Sequence, residues 1–373
     1  MRLKKSQPLQ AAILISGTPH WGTGDGQERQ TTVDKPAPAA ARAAHSLAYS
    51  SDSEPGISRQ RAGRGFWYSD ANGKKVSDRA ILDRIRKLAI PPAWEDVWIS
   101  ADPKGHLQAT GRDQRGRKQY RYHPEWTSHR DDAKYSSLID FAHTLPQLRQ
   151  RMDADLRRRG LGYERVLASI VWLLDNSMIR IGSESYARDN GSFGLTTLRD
   201  KHVDVTGSTL RFAFRGKSGK EWNLKISDRR IANIVKGVQE LPGQQLFQYS
   251  DDEGQRRTIA SQDVNDYIRA ASDADFSSRH FRTWGGTVTA ARLFAETVRP
   301  DTKSGTTRTA NEVIDQVAAR LRNTRAVCRQ CYIHPLILSA WNQDRLAPEL
   351  AAIRNRMRKP PEWFDTDEAV VLR

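Results

Sequence analysis

Leu210-Arg211-Phe212-Ala213-Phe214-Arg215-Gly216-Lys217-Ser218-Gly219-Lys220-Glu221-Trp222-Asn223-Leu224-Lys225-Ile226 is the stretch whose pattern separates this chain from an ordinary helical protein. Leu210, Phe212 and Phe214 alternate with polar residues before the Gly216–Gly219 segment, and Trp222, Leu224 and Ile226 alternate after it. A period of two, broken by a glycine-bounded turn, predicts two antiparallel strands with one apolar face and a lysine at the tip.

Outward from this hairpin the period becomes helical. Val166, Ile170, Leu173, Leu174 and Met178 form one apolar stripe, and Val288, Leu293, Phe294 and Val298 a second. Thr309 and Glu312 have capping-box spacing, which predicts a helix opening there, burying Val313, Ile314, Val317 and Leu321 and ending near Arg322. Thr324 caps a further short helix, terminated by His334 and Pro335, so that Tyr332 falls close to its end.

Upstream the pattern is different again. Residues Gly65 to Trp126 carry Trp67, Trp94, Trp98 and Trp126 among short alternating runs, as a small sheet-rich domain would. One helix interrupts it, capped by Asp78, with Ile81, Leu82, Ile85 and Leu88 on one face and Pro91 with Pro92 as its stop. A change of composition near Pro146 marks the boundary. The expected organisation is a disordered tail over residues 1–58, a small sheet-rich domain over 59–145, a mainly helical domain over 146–345, and a basic, proline-containing tail over 346–373. The fold class is α+β.

The chain has 373 residues, with 60 Lys and Arg against 44 Asp and Glu, and a formal charge of +16. Such an excess points to a polyanionic partner, though ribosomal and membrane-surface proteins share it and charge alone selects no activity. The apolar run Ala11 to Ile15 is too short for a signal peptide or a membrane span, so a soluble cytoplasmic protein is expected, with no membrane partner. Two cysteines, Cys328 and Cys331, are too few for a disulfide framework. Their spacing invites a zinc reading, but a structural zinc needs four ligands and only His334 lies nearby, so two small residues on a helix are expected and no metal.

Breaking a DNA phosphodiester without a metal requires a nucleophile, cations around the non-bridging oxygens, and an acid for the departing oxygen. Tyrosine is a poor nucleophile near neutrality unless positive charge surrounds it. Arginine binds two phosphate oxygens with its planar fork and keeps its charge. Four segments place such groups at the ends of predicted elements: Met178 to Gly182, Phe214 to Lys217, Arg279 to Gly285, and Asn323 to Tyr332. Taken singly, each arginine in a basic helical protein reads equally as a solvated surface residue.

In order and context these segments resemble the catalytic core of type IB DNA topoisomerases of the bacterial and poxvirus kind. The similarity lies in Arg180-Ile181-Gly182, Gly216-Lys217 at the hairpin tip, Arg279 three residues before Arg282-Thr283-Trp284-Gly285, and Tyr332 nine residues after Asn323. Gly116-Arg117-Lys118-Gln119-Tyr120-Arg121-Tyr122 resembles the strand by which that family enters the major groove. The resemblance spans roughly Gly65 to Trp341 and implies a two-domain clamp around duplex DNA. It implies Tyr332 as the nucleophile of a 3'-phosphotyrosyl link, Arg180 and Arg282 on the non-bridging oxygens, and Lys217 as general acid. Supercoils would then be relaxed by strand rotation and religation, without ATP, metal or other cofactor, by a monomer in the nucleoid.

Asn323 stands where the family's most frequent residue is histidine, and Arg322 and Arg325 stand where Gly and Pro are common. An amide donates a hydrogen bond but shuttles no proton, so the role implied for Asn323 is stabilisation. The implied DNA contacts are Arg117, Lys118, Gln119, Tyr120, Tyr122 and Arg279, with Gln119 suited to bidentate pairing with adenine. A tyrosine recombinase shares the Arg, Lys, Arg, Tyr chemistry but usually carries His at the position of Arg279; a non-catalytic DNA-binding protein would have no use for Tyr332.

Overall fold

A computed structural model describes residues 47–373 apart from 64 and 115. The amino-terminal half is an antiparallel five-stranded sheet in the order β2-β1-β3-β4-β5. Its strands are β1 (Ile57–Ala62), β2 (Gly65–Ser69), β3 (Glu95–Ile99), β4 (Leu107–Arg112) and β5 (Lys118–Tyr122). Helix α1 (Arg79–Lys87) is capped by Asp78, whose carboxylate accepts from the Ala80 and Ile81 amides, and it packs Ile81 and Ile85 into a small core with Ile57, Val97, Ile99 and Ala109.

Two expected boundaries need correction. Of the amino-terminal tail assigned to 1–58, residues 1–46 lie outside the described residues, but residues 47–58 are docked on the sheet. Tyr49 stacks on His106 at 4.4 Å and the Ser50 amide donates to His106 Nδ1 at 3.0 Å, so side chains that look like tail composition are used as anchors. Nor does the chain divide at Pro146. Helix α2 (Pro124–Leu156) runs through it, because Leu138, Phe141, Leu145, Leu148 and Met152 keep one buried stripe on both sides of the proline. A proline inside a helix costs about 3 kcal/mol, while each such side chain returns about 1.5–3 kcal/mol on burial, so packing wins.

The second half begins with α3 (Tyr163–Ser177) and α4 (Glu184–Asn190). A three-stranded sheet follows, of β6 (Val203–Thr206), β7 (Thr209–Arg215) and β8 (Glu221–Ser227). The last two strands are the expected hairpin, in a register that pairs Phe212 with Leu224 and Phe214 with Trp222. Then come α5 (Arg229–Gln239), the short strands β9 (Gln248–Ser250) and β10 (Arg256–Thr258), α6 (Ser261–Ser272), α7 (Ser278–Ala295), α8 (Lys303–Leu321), α9 (Arg325–Cys331) and α10 (Pro335–Asn342). The main core joins α2, α3, α6 and α7 to the inner face of the hairpin through Phe141, Leu174, Phe212, Phe214, Ile268 and Phe281. Among the described residues no helix is long and apolar enough to cross a membrane.

Three local expectations also change. Helix α8 opens at Lys303, six residues before Thr309, because Thr302 caps it by accepting from the Gly305 amide at 3.1 Å. Its first turns lack an apolar stripe and so escape a periodicity test. Val298 lies past the end of α7 and is 88% exposed, leaving the stripe to Phe294 and its neighbours. Residues 346–373, expected as a tail, form α11 (Leu346–Arg356) and α12 (Thr366–Leu372). Ala369 and Val370 are buried, and Asp365 and Glu368 form a capping box that the surrounding charge and prolines conceal.

Candidate active site

Helix α3 ends because Met178 turns into the left-handed region at φ 57°, which sends Ile179, Arg180 and Ile181 out as an extended segment. Gly182 continues it at φ 107°, a conformation open to glycine, and Gly194 packs so closely that an added Cβ would lie 2.6 Å from the Arg180 carbonyl. The Leu195 and Thr196 amides bind the Arg180 and Ile181 carbonyls at 2.9 and 2.7 Å. The backbone bearing Arg180 is therefore fixed before any ligand arrives.

Arg282, on the second turn of α7, is 3% exposed. Its guanidinium donates to the carbonyls of Met178 and, at 2.8 Å, of Leu321, so it bridges the ends of α3 and α8. Arg180 Nη2 donates to Asn323 Oδ1 at 2.8 Å, which turns the Asn323 amide nitrogen the other way. That nitrogen and Arg282 Nε are buried and have no protein acceptor among the described residues. Arg322, at the C-cap of α8, adopts φ 51°, the conformation a glycine would take there without strain.

Tyr332 closes α9, its amide bonded to the Cys328 carbonyl at 3.0 Å. Its ring lies under Arg282, with the guanidinium carbon 5.0 Å from the ring centroid. Helix α7 also seats its backbone: the Thr287 hydroxyl donates to the Tyr332 carbonyl at 3.3 Å and accepts from the His334 amide at 3.1 Å. Gly286 is what allows this approach, since a Cβ there would come within 2.7 Å of the Tyr332 oxygen. From the other side the Tyr135 hydroxyl of α2 donates to the Gln330 carbonyl at 2.9 Å.

The electrostatics follow from this packing. Burial disfavours the Tyr332 phenolate, but the Arg282 and Arg180 charges outweigh it and hold the phenol below its ordinary range. Burial, with repulsion from Arg180, pulls the Arg282 guanidinium down to about 10. Two guanidiniums whose hydrogen-bond partners among the described residues are an amide oxygen and backbone carbonyls make a site short of negative charge, and a phosphodiester would supply it. Burial pushes the Cys328 thiol up to about 12 despite nearby Arg282, so it stays protonated near neutrality.

Lys217 stands apart from this cluster. It is exposed at the hairpin tip, where Ser218 at φ 62° and Gly219 at φ 73° complete the turn and Trp222 stacks on Phe214 5.9 Å away. Its Nζ lies 5.9 Å from the ring centroid of Tyr186 on α4. The structure thus brings Arg180, Arg282, Asn323 and Tyr332 together and leaves Lys217 outside the cluster, on the hairpin arm. The carbonyls of Met178 and Leu321, and the seat made by Gly286 and Thr287, have no signature in the sequence beyond the paired glycines Gly285-Gly286 inside a helix.

The implied DNA contacts lie on the β4–β5 hairpin and on α7. Lys118 Nζ pairs with Asp52 at 2.5 Å, Arg117 Nε with Asp113 Oδ2 at 2.9 Å, and Gln119 Nε2 donates to the same Asp113 oxygen at 3.0 Å. Gln119 therefore already spends one amide donor on Asp113, where the sequence suggested an unencumbered fork. Tyr120 and Tyr122 stack at 6.0 Å, and Arg130 lies over Tyr122. Asp113 holds the Arg117 guanidinium above its ordinary range, with a smaller contribution from Tyr186. Arg279 is exposed at the start of α7.

Comparison with known proteins places this geometry in context. Residues 119–347 match the family profile "Eukaryotic DNA topoisomerase I, catalytic core", and residues 65–113 match "Bacterial DNA topoisomerase IB, N-terminal domain". The chain is 33% identical over 297 residues to DNA topoisomerase 1B of Acanthamoeba polyphaga mimivirus, covering 78% of this chain and 88% of that protein. It is 24% identical over 254 residues to DNA topoisomerase 1 of Mycosarcoma maydis, covering 61% of this chain and 24% of the relative. Against DNA topoisomerase 1B of vaccinia virus (strain Copenhagen) it is 23% identical over 191 residues, 46% of this chain and 60% of the viral protein.

Proposed function

The chain belongs to the type IB DNA topoisomerases and relaxes supercoiled duplex DNA, and we propose that Tyr332, Arg180, Arg282, Asn323 and Lys217 are the residues that do it. The observation that carries this reading is the Tyr332 phenol lying beneath Arg282 and held below its ordinary pKa by Arg282 and Arg180 against the effect of burial.

Tyr332 gives up its phenolic proton to solvent, the phenolate oxygen attacks the phosphorus, and the bond from phosphorus to the 5' oxygen breaks. The charge that builds on the non-bridging oxygens is met by Arg180, by the Arg282 Nε–H, and by the otherwise unpartnered Asn323 amide nitrogen. The departing 5' oxygen takes its proton from the Lys217 ammonium, which its position on the hairpin arm allows to approach from the groove side. Chemical energy stays in the 3'-phosphotyrosyl bond, so torsion alone turns the free end, and the same steps in reverse reseal the strand.

For DNA to be held during rotation, the sheet and the helical half close around it as a clamp, joined by α2. This helix packs Trp126 against His106 of the sheet at 4.7 Å and binds the Tyr332 helix through Tyr135. The proposed state is a monomer in the nucleoid, where its substrate is. The deciding experiment is SDS trapping on a nicked or suicide duplex: the wild-type chain yields a covalent adduct, and Tyr332→Phe binds DNA but yields none. An adduct in Tyr332→Phe would assign the nucleophile elsewhere.

A further inference from the structure

The carboxy-terminal helix lies beyond the residues matched to the family's catalytic core, yet it is tied to the centre of the molecule by a buried charge network. Glu368, near the start of α12, is buried and its carboxylate accepts four hydrogen bonds. Two come from Arg149 of α2 at 2.7 Å each, one from Trp284 Nε1 of α7 at 2.9 Å, and one from the Asp365 amide at 3.2 Å. Arg149 uses every N–H it has: besides Glu368 it binds both oxygens of Asp175 at 2.8 Å and the Trp363 carbonyl at 2.6 Å. Trp363 itself is held at φ 71°, a strain that persists only where the surroundings impose it.

Two arms of this network, Asp175 and Trp284, end next to the proposed active site. Asp175 sits three residues before Met178, whose carbonyl takes Arg282, and five before Arg180. Trp284 is two residues after Arg282 and two before Gly286, the seat of the Tyr332 backbone. Two residues turn a helix by about 200°, so Trp284 and Arg282 leave α7 on nearly opposite sides. Fixing the Trp284 side therefore fixes how far Arg282 reaches across the other. A buried pair is weak evidence for stability alone, since apolar residues of similar volume often serve as well; its geometry is what an apolar replacement would not reproduce.

We propose that Glu368 is a positioning residue for cleavage and religation: by taking Arg149 and Trp284 at once it sets the rotation of α7 against the end of α3, and so the spacing of Arg282, Arg180 and Tyr332. The inference rests on the catalytic reading above. Its test uses the full chain and a suicide duplex at saturating protein, with single-turnover cleavage read from pH 6 to 10 at a temperature well below each variant's measured Tm. Glu368→Gln keeps the shape and an acceptor for Trp284 but not the charge for Arg149, and Trp284→Phe removes the N–H together with part of a buried ring, a loss that the Tm registers.

Both variants are expected to bind DNA within about twofold of wild type and to cleave about 10- to 100-fold more slowly, the scale of a small misplacement of reacting groups. The pH giving half-maximal rate should move upward, because the phenol loses part of the Arg282 and Arg180 field that offsets its burial beside Cys331. A lowered Tm with unchanged rate and unchanged pH profile would reduce Glu368 to a stabilising role and overturn the proposal. If Glu368→Gln fails to fold, Trp284→Phe carries the same measurement with the same two outcomes. Arg282→Ala run in parallel separates the levels: if it cleaves normally the catalytic reading fails, whereas a dead Arg282→Ala beside normal Glu368 and Trp284 variants sinks only the positioning role.

Discussion

The proposed catalytic cluster and the β4–β5 hairpin are both cationic, but they hold their charges in opposite ways. Arg282 is buried and bound to the neutral carbonyls of Met178 and Leu321, and Arg180 to the Asn323 amide oxygen. On the hairpin, Lys118 and Arg117 are partly exposed and each is paired with a carboxylate, Asp52 or Asp113. Carbonyls orient a guanidinium without neutralising it, so the full charge waits for phosphate, at the cost of burying it uncompensated. The surface carboxylates compensate the charge in water, and DNA must displace them. In the proposed mechanism one region meets transition-state charge and the other serves exchangeable attachment.

The sharpest way to break this contrast is to remove the uncompensated charges. Arg282→Ala and Arg180→Ala are each expected to slow cleavage by about 10³- to 10⁵-fold, the range for an arginine that stabilises a phosphoryl transition state. Adduct formation followed in single-turnover mixing measures it, and losses below tenfold would put these arginines with the surface ones. Lys217→Ala should cost about 10²- to 10⁴-fold on an ordinary strand, as for loss of a general acid. A substrate with sulfur in place of the 5' bridging oxygen should recover most of that loss, since a thiolate leaves unprotonated; equal defects on both substrates would make Lys217 a phosphate ligand.

The smallest effect is expected on the hairpin. Asp113→Asn frees Arg117 and one Gln119 donor from a carboxylate, and partly exposed pairs of this kind are worth about 1 kcal/mol. DNA affinity should rise by no more than about fivefold on that scale, with a steeper dependence on salt and an unchanged cleavage rate once DNA is saturating. A weaker complex in fluorescence anisotropy would mean that Asp113 orients Gln119 for a base more than it competes with phosphate. A large change in cleavage rate would mean that the two regions are not separable as described.

Much of this protein was legible without coordinates. The hairpin with Lys217 at its tip, the α3 stripe, the caps at Asp78 and Thr324 and the place of Tyr332 at a helix end are all local, since strand alternation, helical period and capping act over a few residues. The family resemblance rested on the same short motifs. What the sequence left undecided involves partners far apart in the chain. Nothing near Arg282 announces that the carbonyls of Met178 and Leu321, 104 and 39 residues away, will hold it, because every residue has a carbonyl. Pro146 seemed a boundary and Glu368 part of a tail; a helix continues through the first and four hydrogen bonds close on the second. Local patterns choose elements, but only their packing decides which backbone oxygens meet a guanidinium and which carboxylate is shut inside.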